Sequence, residues 1–150
     1  MDAEVYPRDE VADYIGEHFI PVKAHIAEQP GTFGRFHKNW TPTLVVMDGR
    51  GIERHEWVGY LPADEFSGQL ALGRAQAAFG AGDWEEAEER FREAAAAWSN
   101  TEAAPEAVYW AGVSRYKASE DPAALGETAD RLAERYPDSL WATRASVWAD

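Results

Sequence analysis

A chain that does chemistry with its own side chains must bring reactive residue types to workable spacings, and the usual constellations fail that test here. Cysteine is absent from all 150 residues. That excludes structural disulfides, thiolate zinc sites and any intrinsic dithiol reaction within this sequence. The four histidines, His18, His25, His37 and His55, include no pair four residues apart, the spacing that lets two imidazoles on one helical face share a metal. They read as scattered surface residues. Glu85 to Glu89 reads as a solvated helix face. Gly31 to Gly34 lacks the lysine and spacing of a phosphate loop, and Ser67, Ser99, Ser114, Ser119, Ser139 and Ser146 show no nucleophile-elbow pattern. Tryptophans 84, 98, 110, 141 and 148 fall at helical spacings that suit core packing. No catalytic residue, cofactor or metal is expected. The segment that stands out is Trp40-Thr41-Pro42-Thr43, which runs into Leu44-Val45-Val46-Met47 and then the turn Asp48-Gly49-Arg50-Gly51.

The elements that must position this segment follow from hydrophobic period. Val11, Tyr14, Ile15 and Phe19 predict a helix from Asp9 to His18 with Asp9 as its cap. Ile20, Val22, Ala24 and Ile26 alternate with polar residues or proline, which predicts a strand with one face buried. Pro30-Gly31 introduces a short helix through 31 to 38. Thr43 to Met47 is so uniformly apolar that a central strand with both faces covered is expected. The Asp48 to Gly51 turn sends Ile52 to Val58 back antiparallel as an edge strand carrying Arg54, His55 and Glu56. Pro62 opens a helix whose inner face holds Phe66 and Leu70.

Past residue 70 only helical period remains. Trp84, Ala87, Phe91, Ala94 and Trp98 form one narrow seam; Leu125, Ala129, Leu132 and Tyr136 form the next; Trp141, Ala145 and Trp148 form the last. Pro105 and Pro122 mark helix starts, the second behind the capping Asp121. Charge divides at the same place, with 10 acids and 6 bases (-4) in residues 1–60 and 17 acids and 8 bases (-9) in residues 61–150, summing to the net -13. Such a surface disfavours nucleic acid and anionic membrane, because phosphate binding draws on a basic face. No apolar run approaches the roughly 20 residues of a bilayer span. The acidic start, Met1-Asp2-Ala3-Glu4, does not resemble a signal peptide. The expected compartment is the cytoplasm, and the sequence assigns no oligomeric state.

The helical half repeats itself. At an offset of 38 residues Trp98-Ser99-Asn100-Thr101 falls on Tyr136-Pro137-Asp138-Ser139, Ala104 on Ala142, Ala107 on Ala145 and Trp110 on Trp148. Gly82-Asp83-Trp84, with Ala87, Phe91 and Ala94, resembles the second helix of a tetratricopeptide repeat (TPR). Arg74, at a position expected to be apolar, departs from that family, as does a period above the usual roughly 34 residues. Two hairpins and an unpaired last helix are expected, the first hairpin packing on the sheet and the last helix acting as a lid.

Asp2-Ala3-Glu4-Val5-Tyr6, Val11, Phe19-Ile20-Pro21-Val22-Lys23, Trp40-Thr41-Pro42-Thr43 and Gly59-Tyr60-Leu61-Pro62 resemble a bacterial thioredoxin-like group in which a TPR-like tail follows the redox domain. The resemblance implies an α/β fold, with a thioredoxin-like sheet domain over residues 1–70 followed by a TPR-like helical domain over 71–150. It implies a cis bond before Pro42 and a protein or peptide partner held by Trp40, Thr41, Pro42 and Thr43, with Trp40 flanking a groove or buried in the core. In redox-active members a first strand and a Cys-x-x-Cys precede the residues matching Met1 to Tyr6, so Met1 is not expected to be the natural beginning. That strand would lie between 20–26 and 43–47. Without it the two close on each other, or a partner fills the slot, or the gene continues upstream. The expected function is a thioredoxin-fold binding protein, redox-inactive as written; an upstream Cys-x-x-Cys would make it a thiol-disulfide oxidoreductase. A non-enzymatic TPR-type scaffold is the alternative.

Overall fold

A computed structural model describes residues 1–149 as a short β-hairpin and a stack of helices, an α/β fold. In chain order the elements are α1 (Asp9–His18), α2 (Pro30–Arg35), β1 (Thr43–Met47), β2 (Glu53–Val58), α3 (Ala63–Ala81), α4 (Trp84–Ala97), α5 (Ala103–Ser119), α6 (Ala123–Arg135) and α7 (Leu140–Ala145), closed by a 3-10 turn, Ser146–Trp148. The first helix takes the expected residues, but Arg8 occupies its cap and Asp9 its first turn, where a carboxylate still faces the positive helix end.

Two expectations about the sheet are corrected. Residues 20–26 form no strand: 20–25 take no regular structure, Ile26 begins a turn, and Ile20 is 94% and Val22 86% exposed. Alternation selects a face, but a strand also needs a neighbour for its N–H and C=O groups, and among the described residues β1 pairs with β2 alone. Residues 20–26 and 43–47 therefore do not close on each other. For the same reason β1 is not central. Its two-stranded sheet covers one face only, so Val46 is buried while Thr43, Leu44 and Val45 are half-buried.

Three apolar clusters run along the molecule. In the first, Val5, Val11, Val46, Phe66 and Leu70 pack α1 and the hairpin onto the start of α3. The second joins the rest of α3 to α4 and α5 through Leu72, Ala75, Phe91 and Ala107. The third seats α7 against α5 and α6 through Val108, Ala129, Leu132 and Ala145. α3 serves two of these clusters, which is why it lacks a single polar stripe, and it runs unbroken through residues 70 and 71. Close approach to the hairpin depends on Gly73, where an added Cβ would lie 2.7 Å from Val46 Cγ2 and 3.2 Å from His55 Cβ. Gly82 ends the helix at φ +84°, a left-handed conformation that glycine adopts without a Cβ penalty.

The helical tail follows its sequence pattern with small displacements: α5 starts at Ala103, two residues before Pro105, and Pro122 rather than Asp121 stands at the cap of α6. α4 buries Ala87, Phe91 and Ala94 as expected. In α6 the buried positions are Ala124, Thr128, Ala129 and Leu132, with Leu125 and Tyr136 half-buried beside them, because α6 meets α5 and α7 on adjoining faces. The 38-residue offset has a backbone counterpart. Trp98 and Tyr136 both cap their helices, donating to Ala94 at 3.1 Å and Leu132 at 2.8 Å with closely similar dihedrals, and Ala107 and Ala145 are both sealed. Two long-range polar contacts brace the stack: Glu65 accepts the Glu102 N–H at 3.1 and 3.2 Å, and the Tyr136 hydroxyl donates to the Ser99 carbonyl at 3.1 Å.

Candidate functional site: the proline edge of the hairpin

The four candidate residues sit together where the chain enters β1. Trp40 is 69% exposed and so lies outside the core; Thr41 and Pro42 are also exposed, and Thr43 begins the strand. The Thr41–Pro42 peptide bond is cis. The Thr43 hydroxyl donates to the Trp40 carbonyl at 2.7 Å, closing a tight bend, and the Pro42 carbonyl accepts the Gly59 N–H at 2.8 Å.

That last bond fixes the direction of the backbone groups of β1 as far as Val46, beyond which the register shifts. Antiparallel ladders alternate between residue pairs that exchange hydrogen bonds and pairs that do not. With Thr43 opposite Val58 and Leu44 opposite Trp57, bonding at the Pro42–Gly59 pair makes Leu44 and Val46 the residues that turn their amides toward β2. Thr43 and Val45 turn theirs the other way. The outer edge of β1 therefore offers two N–H and two C=O groups just after the exposed Trp40-Thr41-Pro42 bend, and no other strand covers it among the described residues. Val58 and Tyr60, each 54% exposed, add apolar surface on the β2 side.

Two ionic clasps hold the edge in place. The Lys38 ammonium bonds Glu53 Oε2 at 2.8 Å and also Glu56, tying the approach to Trp40 onto β2. Burial opposes the Lys38 charge, yet the two carboxylates outweigh it and raise its pKa above the usual lysine value. At the opposite end Asp48 accepts N–H bonds from Arg50 at 2.9 Å and Ile52 at 3.1 Å, while Arg54 grips its other oxygen at 2.9 and 2.8 Å. Burial would raise the Asp48 pKa, but the Ile52 amide, the Arg54 guanidinium and the Arg50 amide together hold it at about 2. His55 bonds Gln69 of α3 at 2.6 Å; burial lowers its pKa and the Gln69 contact opposes the shift. Sequence reading placed Arg54, His55 and Glu56 on an edge strand but gave them no partners. Lys38 it did not single out, since nothing in the sequence marks a lysine that will fold back over two glutamates.

Residues 1–73 match the thioredoxin-like domain family. No curated protein and no solved structure matches the chain. The matched region takes in α1, α2, the hairpin and the first half of α3. With no cysteine in the sequence, it holds no dithiol of its own. Among the described residues no three potential metal ligands gather, and no helix is long and apolar enough to cross a membrane.

Proposed function

We propose that this protein is a redox-inactive thioredoxin-fold binder that holds an extended protein or peptide segment along the outer edge of β1, beside Trp40, Thr41, Pro42 and Thr43, in the cytoplasm. The observation that carries this reading is the pair of outward-facing amides at Thr43 and Val45 directly after the exposed bend. A sheet edge with free donors and acceptors gains main-chain hydrogen bonds from an added strand, and neighbouring apolar side chains give selectivity. Trp40 and Tyr60 supply such surface here. The helical tail would serve as a second contact surface in the manner of TPR hairpins. The same edge would serve thiol-disulfide exchange if the gene encodes a Cys-x-x-Cys upstream.

Hydrogen exchange in the presence of reduced, carboxymethylated insulin B chain tests the site. Slowed exchange at Trp40 to Leu44 is the expected result. Protection confined to residues beyond 84 would instead favour the alternative, a TPR-type scaffold whose working surface is helical, an alternative supported by the stacked hairpins and the 38-residue recurrence. An insulin-disulfide reduction assay on the 150-residue chain is expected to stay at background, and measurable turnover would overturn redox inactivity.

A further inference from the structure

Arg74 is the residue that departs from an apolar pattern in α3, and its surroundings give that departure a purpose. Gly73 and Ala75 on either side are buried, whereas Arg74 is half-buried and lines a cleft of about 360 Å³ between α1, α3 and α4. Tyr14, His18, Arg90, Glu93 and Trp98 complete the lining. The two arginines are held differently. Arg90 is engaged, donating to Glu86 at 2.5 Å and to the Arg74 carbonyl at 3.3 Å. The Arg74 guanidinium forms no ion pair among the described residues. In a chain with 27 acids and 14 bases, carboxylates are not scarce. A guanidinium left without one in a cleft is set to receive it from elsewhere.

The rest of the lining narrows the chemistry. Burial raises the Tyr14 pKa above the ordinary tyrosine value, with Arg74 beside it opposing, so Tyr14 offers a neutral hydroxyl donor. Its ring stands edge-on to Trp98 at 5.3 Å and to His18 at 4.6 Å, an aromatic wall suited to a flat apolar body. Glu86 already neutralises Arg90, and the exposed Glu93 lies at the rim. Arg74 is thus the one arginine of the lining with no carboxylate in salt-bridge range among the described residues, which matches a single negative charge and disfavours a dianion.

We infer that this cleft binds a carboxylate carried on an apolar body, with the Arg74 fork on the carboxylate, the Tyr14 hydroxyl beside it and the Tyr14–Trp98 wall against the apolar part. The site shares no residue with the proline edge, so either can fail without the other. Titration calorimetry on the 150-residue protein tests it with five probes: 3-phenylpropionate, 3-phenylpropionamide, a tripeptide with a free C-terminal phenylalanine, its amidated form, and inorganic phosphate. Saturable binding of at least one carboxylate is expected, with its amide weaker by about tenfold or more. Binding of the free acid identifies a small-molecule source, and binding of the peptide alone a chain terminus; both support the proposal. R74Q is expected to match the amide's loss and R74K to fall between. E93Q, a change at an exposed rim, is expected to tighten binding by about two- to threefold. The proposal is overturned if neither carboxylate binds, if amides bind as well as acids, if phosphate binds more tightly, or if folded R74Q keeps full affinity. Should R74Q lose its helical circular dichroism, unchanged affinity in E93Q overturns the proposal instead.

Discussion

Ile20 and Val22 stand 94% and 86% exposed, whereas Phe91 and Leu132 are sealed completely, although all four occupy apolar positions in a clean period. The difference lies in where each region finds its hydrogen bonds. A helix satisfies its backbone from within the segment, so an apolar stripe needs only another surface to cover it. An extended segment must find a second strand, often far away in sequence. Residues 63–149 meet the first condition five times over with two- to five-residue connections. The hairpin meets the second once, and residues 20–26 do not meet it.

The largest effect that would sharpen this contrast is Phe91→Ala. Phe91 is fully buried between α3, α4 and α5, and its truncation should cost about 3–5 kcal/mol in urea unfolding. A loss below about 1 kcal/mol would mean that the helical array is not the stable half of the molecule.

Asp48→Asn should have a smaller effect, confined to the hairpin. Asparagine can still accept from the Arg50 and Ile52 amides, but it loses the charge that Arg54 grips. Because the folded carboxyl titrates at about 2, below its ordinary 3.8, its contribution is fully present above the ordinary value and disappears as pH falls through the folded one. The stability gap between the native chain and Asp48→Asn should therefore be flat near neutral pH and close between pH 4 and 2. Denaturant titrations across that range measure it, and a gap that persists below pH 2 would remove the ion pair from the account.

Val22→Ser should do least, shifting stability by no more than about 0.5 kcal/mol. A Val22→Ser loss as large as that of a buried valine would show that the segment has a covering partner in solution.

The same contrast explains what could be read from the sequence. The helix at 9–18, the hairpin around Asp48-Gly49-Arg50-Gly51 and the seam from Trp84 to Ala94 were legible because their signals are local. The pairing of 20–26 was not, since alternation states which side chains share a face and is silent about the neighbouring strand. At the candidate site the proline and its flanking residues could be found from their order alone. Which β1 amides face outward could not, because that rests on the register set by the Gly59–Pro42 bond. Lys38 and Arg74 act through tertiary neighbours that have no fixed spacing from them. Arg74 at least left a trace, as a charge where a helix should be apolar.

Trp40 has a further, optical consequence. Of the seven tryptophans it alone is largely exposed; Trp57, Trp84, Trp98, Trp110, Trp141 and Trp148 are all at least half-buried. Its indole contributes the red side of the emission band and is the one most open to a water-borne quencher. The edge of the hairpin thus carries its own fluorophore, and a segment that lies down along β1 will announce itself as a blue shift without any label being attached.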